Sequence, residues 1–196
     1  MDFLGKVKAT HIEFEGVRYK IHDDYRNVLN TIRLIEEEDD DRVRAVILVK
    51  TIFGSNAPLD QRLVDRANKL LWNGVDYKDL DTSQKVHQDL IQDYNVYKMD
   101  ILREFNKEIE KMEYLSWSDF LDLVSSLSKD SNMAQYVQIR STPLKEISKD
   151  KRKEFKKLQD RIAIKQKEEV VEYKESIFDK HMRKQREEYN RNRKGE

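Results

Sequence analysis

The stretch that decides the fold reads YNVYKMDILREFNKEIEKMEYLSWSDFLDLVSSL, over residues 94–127. In its first half the apolar residues step by three and four, which places them on one face of a helix. These residues are Tyr94, Tyr97, Ile101, Phe105 and Ile109. The stretch therefore predicts an amphipathic helix, and we expect the rest of the chain to pack on it.

A second helix is predicted in the other half of this stretch. Ser116 and Asp119 have the spacing of a capping box, in which the serine oxygen accepts a hydrogen bond from a free backbone N–H. Apolar residues then recur at helical spacing, at Trp117, Phe120, Leu121, Val124 and Leu127. With a short polar break between them, the two helices are predicted to form a helical hairpin or corner.

Ahead of this stretch, residues 11–21 alternate between apolar and polar side chains, which is typical of β-strands. Glu15 and Gly16 interrupt the alternation, and glycine suits a tight hairpin turn because it tolerates a positive φ. We therefore expect a β-hairpin within residues 1–22. It should pack on helices or pair with another chain, since an isolated hairpin is marginally stable in water.

Between the hairpin and the central stretch, the sequence indicates further helices. Asp23 or Asp24 is expected to cap a first helix, which ends in the acidic run at residues 36–41. That run lacks EF-hand spacing, so its last aspartates are expected at the start of the next helix rather than as Ca²⁺ or Mg²⁺ ligands. Residues 43–53 are apolar nearly all round, which favours a buried helix, although their β-branched content leaves a strand possible.

Two more helix starts are predicted before residue 94. Pro58 is suited to the first position of a helix, and Gly74 is suited to the end of that helix. A long helix is predicted to start near Thr82 and to run through Leu90 and Ile91 into the central stretch.

Pro143 marks the clearest boundary in the chain, because the residue before a proline is disfavoured in the helical region. From Leu144 onward there are 18 Lys and Arg and 12 Asp and Glu, whereas the preceding residues have 20 and 26. This asymmetry suggests an arm that meets an acidic partner or an acidic face of a second copy in a homo-oligomer. A solvated helix of mixed charge is the alternative interpretation.

These patterns together predict a mainly α fold, α+β by strict count. Residues 1–22 form the N-terminal β-hairpin, residues 23–142 a helical bundle that serves as the body, and residues 143–196 an arm with a long, charged, protruding C-terminal helix.

Composition and motifs argue against several function classes. The 196 residues include no Cys, and the four His residues lack metal-ligand spacing. No nucleophile elbow and no glycine-rich phosphate loop occur. The chain is therefore predicted to be neither an enzyme nor a protein that holds a metal or cofactor. Without a signal peptide pattern or an apolar run of about 20 residues, it is expected to be soluble, outside the membrane and in the cytoplasm.

Nucleic-acid binding is a weaker alternative. Basic residues cluster at residues 149–153 and 183–194, with aromatic residues between them, as phosphate contacts require. Glutamates lie between the two clusters and within the second one, so the helix neutralises itself more than it attracts phosphate.

Aromatic residues and the start of the arm supply the candidates for partner binding. Trp72 and Trp117 lie on apolar stripes, so each is expected in the core unless it faces solvent, where it would be a leading hot-spot candidate. The full set of candidates is Trp72, Tyr114, Trp117, Phe120, Lys151, Arg152, Lys153, Phe155, Leu158 and Ile162.

The order of these features resembles a family found in tailed bacteriophages and prophages of Gram-positive hosts, the one called gene product fifteen. The resemblance covers about residues 11–140. The motifs that carry it are FEGVRY at 14–19, DYRNVL at 24–29, IFG at 52–54, WNG at 72–74, IQDY at 91–94, WSDFLDL at 117–123 and IR at 139–140.

The resemblance implies a protein of the tail module, similar in placement to the downstream half of tail-assembly chaperones. Such a protein would hold the helical tape-measure protein soluble, recruit tail-tube protein, and leave before the tail is complete, so that it is absent from the mature virion. A structural or adaptor component of the virion is the alternative, and a nucleic-acid-binding regulator is a weaker one.

Overall fold

The N-terminal hairpin is present as the sequence predicts. In the computed structural model, which describes residues 10–71 and 87–165, strand β1 (His11–Phe14) pairs antiparallel with β2 (Val17–Lys20). Glu15 and Gly16 form the turn with φ of 51° and 78°, so both central residues have the positive φ that a type I′ turn requires. Seven α-helices follow within the described residues, which confirms the mainly α fold class.

Helices α1 (Tyr25–Glu37) and α2 (Asp41–Phe53) follow the hairpin in the chain and pack against each other. The Asp24 carboxylate accepts a hydrogen bond from the N–H of Arg26, and the Asp40 carboxylate accepts two at the start of α2. Each aspartate thus caps a helix, which confirms the prediction that the acidic run ends at a helix start. The helical state of α2 also excludes the alternative of a strand.

The prediction that residues 43–53 are buried all round is wrong for the first half of α2. Val43 and Val46 are 41% and 38% exposed, whereas the buried residues of the helix are Leu48, Val49, Ile52 and Phe53. All four lie in its last six residues, so only the C-terminal half of α2 is enclosed by neighbouring elements.

Helix α3 (Gln61–Leu71) starts later than Pro58. The Asp60 carboxylate accepts a hydrogen bond from the N–H of Arg62 at 2.8 Å, and the Asp60 carbonyl accepts from Leu63 and Val64. Asp60 therefore caps α3, and the predicted start at Pro58 is wrong. The predicted end at Gly74 lies outside the described residues.

Helix α4 (Tyr94–Phe105) forms the first part of the central stretch. The prediction that the helix already includes Leu90 and Ile91 is wrong, since residues 87–93 are irregular or in turns. The Asp89 carboxylate accepts from the N–H of Ile91 and of Gln92, both at 2.8 Å, and this local turn competes with a helix. The predicted start at Thr82 lies outside the described residues.

The central helix also ends earlier than its apolar pattern predicts. Asn106 has a φ of 53°, a left-handed conformation that asparagine tolerates at a helix end, and Ile109 lies in a separate 3₁₀ helix (Ile109–Lys111). Helix α5 (Trp117–Ser125) follows, and Ser116 Oγ accepts from the N–H of Asp119 as predicted. The connection between α4 and α5 is therefore longer than the short polar break that the sequence predicts, because it contains this 3₁₀ helix.

The N-caps of α1 and α5 lie side by side. Asp24 and Ser116 form an isolated antiparallel bridge, in which the N–H of Tyr25 donates to the Leu115 carbonyl and that of Trp117 to the Asp23 carbonyl. Two helix starts far apart in the sequence are joined by main-chain hydrogen bonds.

Buried carboxylates of α4 and of the segment before it hold helix α6 (Asn132–Ser141). Asp100 is fully buried and accepts from the Asn132 amide at 2.7 Å and from the N–H of Met133 at 2.8 Å. Asp93 is 3% exposed and accepts two hydrogen bonds of 2.7 Å from the Arg140 guanidinium.

Helix α7 (Arg152–Ile162), after the 3₁₀ helix Leu144–Glu146, packs on α6. The Gln159 amide donates to the Ile139 and Thr142 carbonyls, and Arg140 Nε donates to the Ile162 carbonyl at 2.6 Å. The described residues up to Ile164 belong to one compact unit. The part of the predicted arm that the structure describes thus packs on the body rather than protruding, whereas residues 166–196 lie outside the described part. The boundaries after residues 22 and 142 stay predictions.

Candidate partner-binding groove

An open groove of about 470 Å³ lies between α1 and the segment that leads into α4. Its apolar lining comes from both sides: Leu29 lies on α1, while Leu90, Ile91 and Tyr94 lie opposite. We call these residues, together with Tyr25, Arg26, Asn30, Arg33 and Glu110, the α1 groove.

Aromatic rings connect the α1 groove with the core. The hydroxyls of Tyr25 and Tyr94 are 3.1 Å apart, and the Tyr25 ring stacks on Phe120 with centroids 4.9 Å apart. Phe120 in turn stacks on Trp117 at 5.6 Å. Burial, together with the hydrogen bond to Tyr25, raises the pKa of Tyr94 above its usual value.

Arg26 is fixed in place at one end of the α1 wall. Its guanidinium makes two hydrogen bonds to the Asp24 carboxylate, at 2.7 and 2.8 Å, and others to the Met112 and Glu113 carbonyls. The bonds to Asp24 raise the pKa of Arg26, and Arg26 holds the pKa of Asp24 below its usual range. This end of the wall is therefore rigid and charged.

Arg33 occupies the other end of the same wall. Its side chain is 49% exposed, and its hydrogen bonds go to Glu37 at 3.1 Å and Asn30 at 2.9 Å, both on α1 itself. Arg33 is seven positions after Arg26, which corresponds to two helical turns or about 10 Å along the axis. The α1 wall thus presents two cations at a defined spacing.

Hydrogen bonds also preorganise the opposite wall. Asp93 accepts from the N–H of Asp89 at 2.9 Å and pairs with Arg140, which also donates to the His87 carbonyl at 3.0 Å. Leu90 and Ile91 lie between these anchored positions. The only charged lining residue among the described ones on this side is Glu110, whose carboxylate is 3.0 Å from Lys98 Nζ.

The aromatic candidates of the sequence do not form one surface. Trp117 and Phe120 are 3% and 0% exposed, and the Trp117 indole donates to the Leu71 carbonyl at 2.9 Å. Both are core residues, so neither is open to a partner in this structure. Tyr114 is 54% exposed and donates to Asp23 at 2.6 Å, whereas Trp72 lies outside the described residues.

The candidates at the start of the arm lie on or beside α7. Lys151 and Lys153 are exposed, while Arg152 donates to the Ile147 and Lys145 carbonyls. The apolar members are Phe155 and Leu158, which are half-buried, and Ile162, which is buried. None of these residues lines the α1 groove.

Sequence reasoning missed the groove itself. The sequence predicts Leu90 and Ile91 within a helix rather than in the wall of a groove. The signal that was present is the apolar pair Leu90–Ile91 within a polar segment, flanked by the turn-forming residues Asp89 and Asp93. Nothing in the sequence places this pair beside α1.

Two other kinds of site are absent from the described ranges. Within residues 10–71 and 87–165, no three His, Asp or Glu side chains come together as ligands for a metal ion. No helix in these ranges has both the length and the apolar character that crossing a membrane requires.

The fold and the α1 groove define a small, mainly α-helical protein with an N-terminal hairpin and a preorganised apolar groove. A family model described as Bacteriophage Gp15 protein matches residues 7–164, which is most of the chain. The chain belongs to this family of bacteriophage proteins. The match extends past Pro143 and through α7, to the residue at which the compact unit ends. A search of curated proteins and a search of solved structures each gave no match.

Proposed function

We propose that the chain is a non-enzymatic tail-assembly chaperone, which binds the tape-measure protein, the tail-tube protein or both during tail morphogenesis. Membership of the bacteriophage family supports a phage role. The resemblance described above supports the tail module. In this proposal the protein acts in the host cytoplasm and leaves before the virion is complete.

The observation that carries the proposal is the α1 groove. Apolar side chains line it from two walls, and both walls are held by hydrogen bonds before any partner arrives. Amphipathic helices bind by laying an apolar face into such a groove. A long helical client such as a tape-measure protein offers faces of this kind.

The test is co-expression with the tape-measure and tail-tube proteins encoded nearby, followed by affinity pull-down and measurement of client solubility. We expect the wild-type chain to bring down a client and keep it soluble. The variant Leu90→Ser places a hydroxyl in the groove and should lose the client. Val43→Ser is the matched control, because Val43 is an exposed apolar residue on α2 outside the groove.

Failure of the wild-type chain to bind or solubilise either client would contradict the proposal. Retention of the chain in purified, finished particles would instead favour the structural or adaptor role. Thermal melting of both variants shows whether a loss of binding comes from the groove or from unfolding.

A further inference from the structure

The charges of the α1 groove are unequally divided between its two walls. On the α1 side Arg26 and Arg33 are 43% and 49% exposed. On the other side Glu110 is exposed and is paired with Lys98. A helix that lies in the groove therefore meets two arginines along one flank and the ion pair of Glu110 and Lys98 along the other.

Arg33 is the cation that is free to change partners. Its ion pair with Glu37 joins two side chains that are 49% and 58% exposed, and surface pairs of this kind contribute little to stability. Arg26, by contrast, also holds two carbonyls of the segment before α5 and stays where it is. A ligand carboxylate would replace Glu37 at Arg33 and approach Arg26 from the solvent side.

We infer that the α1 groove binds an amphipathic helix with acidic residues seven positions apart along one flank of its apolar stripe. The apolar stripe would contact Leu29, Leu90 and Ile91. The two carboxylates would meet Arg26 and Arg33, since the same two helical turns separate both pairs. Because the acidic flank has to face α1, the groove also selects the orientation of the helix. This inference rests on the proposed function and specifies which part of a client is bound.

The first experiment repeats the client pull-down with Arg33→Glu and with Lys156→Glu. Lys156 is a matched control, because it forms an exposed ion pair with Asp160 at the same spacing as Arg33 and Glu37, but on α7. We expect wild type and Lys156→Glu to bind the client and Arg33→Glu to lose it. Equal binding by all three would leave the chaperone proposal standing and overturn the inference. No binding by wild type would overturn the proposed function and the inference that rests on it.

The second experiment measures the affinity of a labelled synthetic helical peptide by fluorescence anisotropy. The peptide carries a leucine stripe and two Glu residues seven positions apart, and a matched peptide carries two Lys instead. We expect the Glu peptide to bind wild type about tenfold more tightly than Arg33→Glu, and the Lys peptide to show the reverse preference. The preference for the Glu peptide should weaken as salt rises.

Equal affinity of the two peptides for wild type would overturn the inference. So would a homodimer of the wild-type chain that Leu90→Ser dissociates, because a second copy would then fill the groove. Arg33→Gln removes the charge without reversing it and should lie between wild type and Arg33→Glu. Thermal melting of each variant verifies that the fold persists.

Discussion

The two halves of the molecule contribute to one hydrophobic core, but among the described residues only the second half also buries charged side chains. The first half, from the hairpin through α3, is centred on aliphatic side chains such as Val28, Val49, Ile52 and Leu63, all with no exposed surface. In the second half, from residue 87 through α7, the buried side chains include the carboxylates of Asp93 and Asp100, and the Arg140 side chain is only 8% exposed. The α1 groove lies between the halves and takes one wall from each.

This difference shows which part of the structure sets the geometry of the groove. Apolar contacts are non-directional and tolerate small shifts, whereas a bidentate pair between Arg140 and Asp93 is fixed in distance and angle. The polar half positions the wall that contains Leu90 and Ile91.

The largest effect should come from breaking the buried ion pair. Arg140→Ala leaves the Asp93 carboxylate buried without its partner and should lower the free energy of unfolding by about 4 kcal/mol, measured by urea denaturation. The double variant Asp93→Leu, Arg140→Met removes both charges and should recover much of that loss. A double variant no more stable than Arg140→Ala would contradict the expectation that the loss comes from the unpaired carboxylate of Asp93.

A cavity in the aliphatic half should have a slightly smaller effect. Leu63→Ala removes a fully buried side chain from α3 and should lower the free energy of unfolding by about 3 kcal/mol. Because no buried charge is involved, the loss should be the same at low and high salt. A loss that varied with salt would contradict the assignment of this half to apolar packing.

The N-cap of α5 at Ser116 offers a milder test. Ser116→Ala removes the hydroxyl that accepts from the N–H of Asp119, and should cost about 1 kcal/mol. Ser116→Asn can still cap the helix and should retain most of the stability. Equal losses for the two variants, measured by thermal melting, would mean that the site is sensitive to size rather than to capping.

The smallest predicted effect is a pH dependence at Asp24. Arg26 lowers the pKa of Asp24 in the folded state, so the carboxylate contributes stability that is present above about pH 4, its unfolded value, and is lost as pH falls through the folded pKa. Asp24→Asn keeps a capping side chain without the charge. Compared with wild type, this variant should lose less stability on acidification, and identical profiles would contradict the prediction.

The elements that sequence reasoning identified depend on local chemistry. The Glu15–Gly16 turn, the cap at Ser116 and the caps at Asp24 and Asp40 each involve residues within a few positions of one another. Such interactions leave a pattern in the sequence, which is why the hairpin and most of the helices could be predicted.

The groove and the buried charges left no such pattern. Asp93 and Arg140 are 47 residues apart, and on an amphipathic helix or beside it a charged residue is expected on the solvent side. Leu90 looks like a core residue until the separation of the two walls is known, whereas Leu29 is buried in the core and lines the groove only with its remaining surface. Val43 and Val46 are the opposite case, because their apolar character predicted burial although both are exposed.

The bridge between Asp24 and Ser116 has a consequence for the order of folding. Leu115 and Asp24 are 91 residues apart, and closing a loop of that length carries an entropy cost of about 4 kcal/mol from its length alone. The hairpin and α1 to α3 make mostly local contacts and can form while the chain is still being synthesised. The bridge must wait until the start of α5 has left the ribosome, so the junction between α1 and α5 is completed late in biosynthesis.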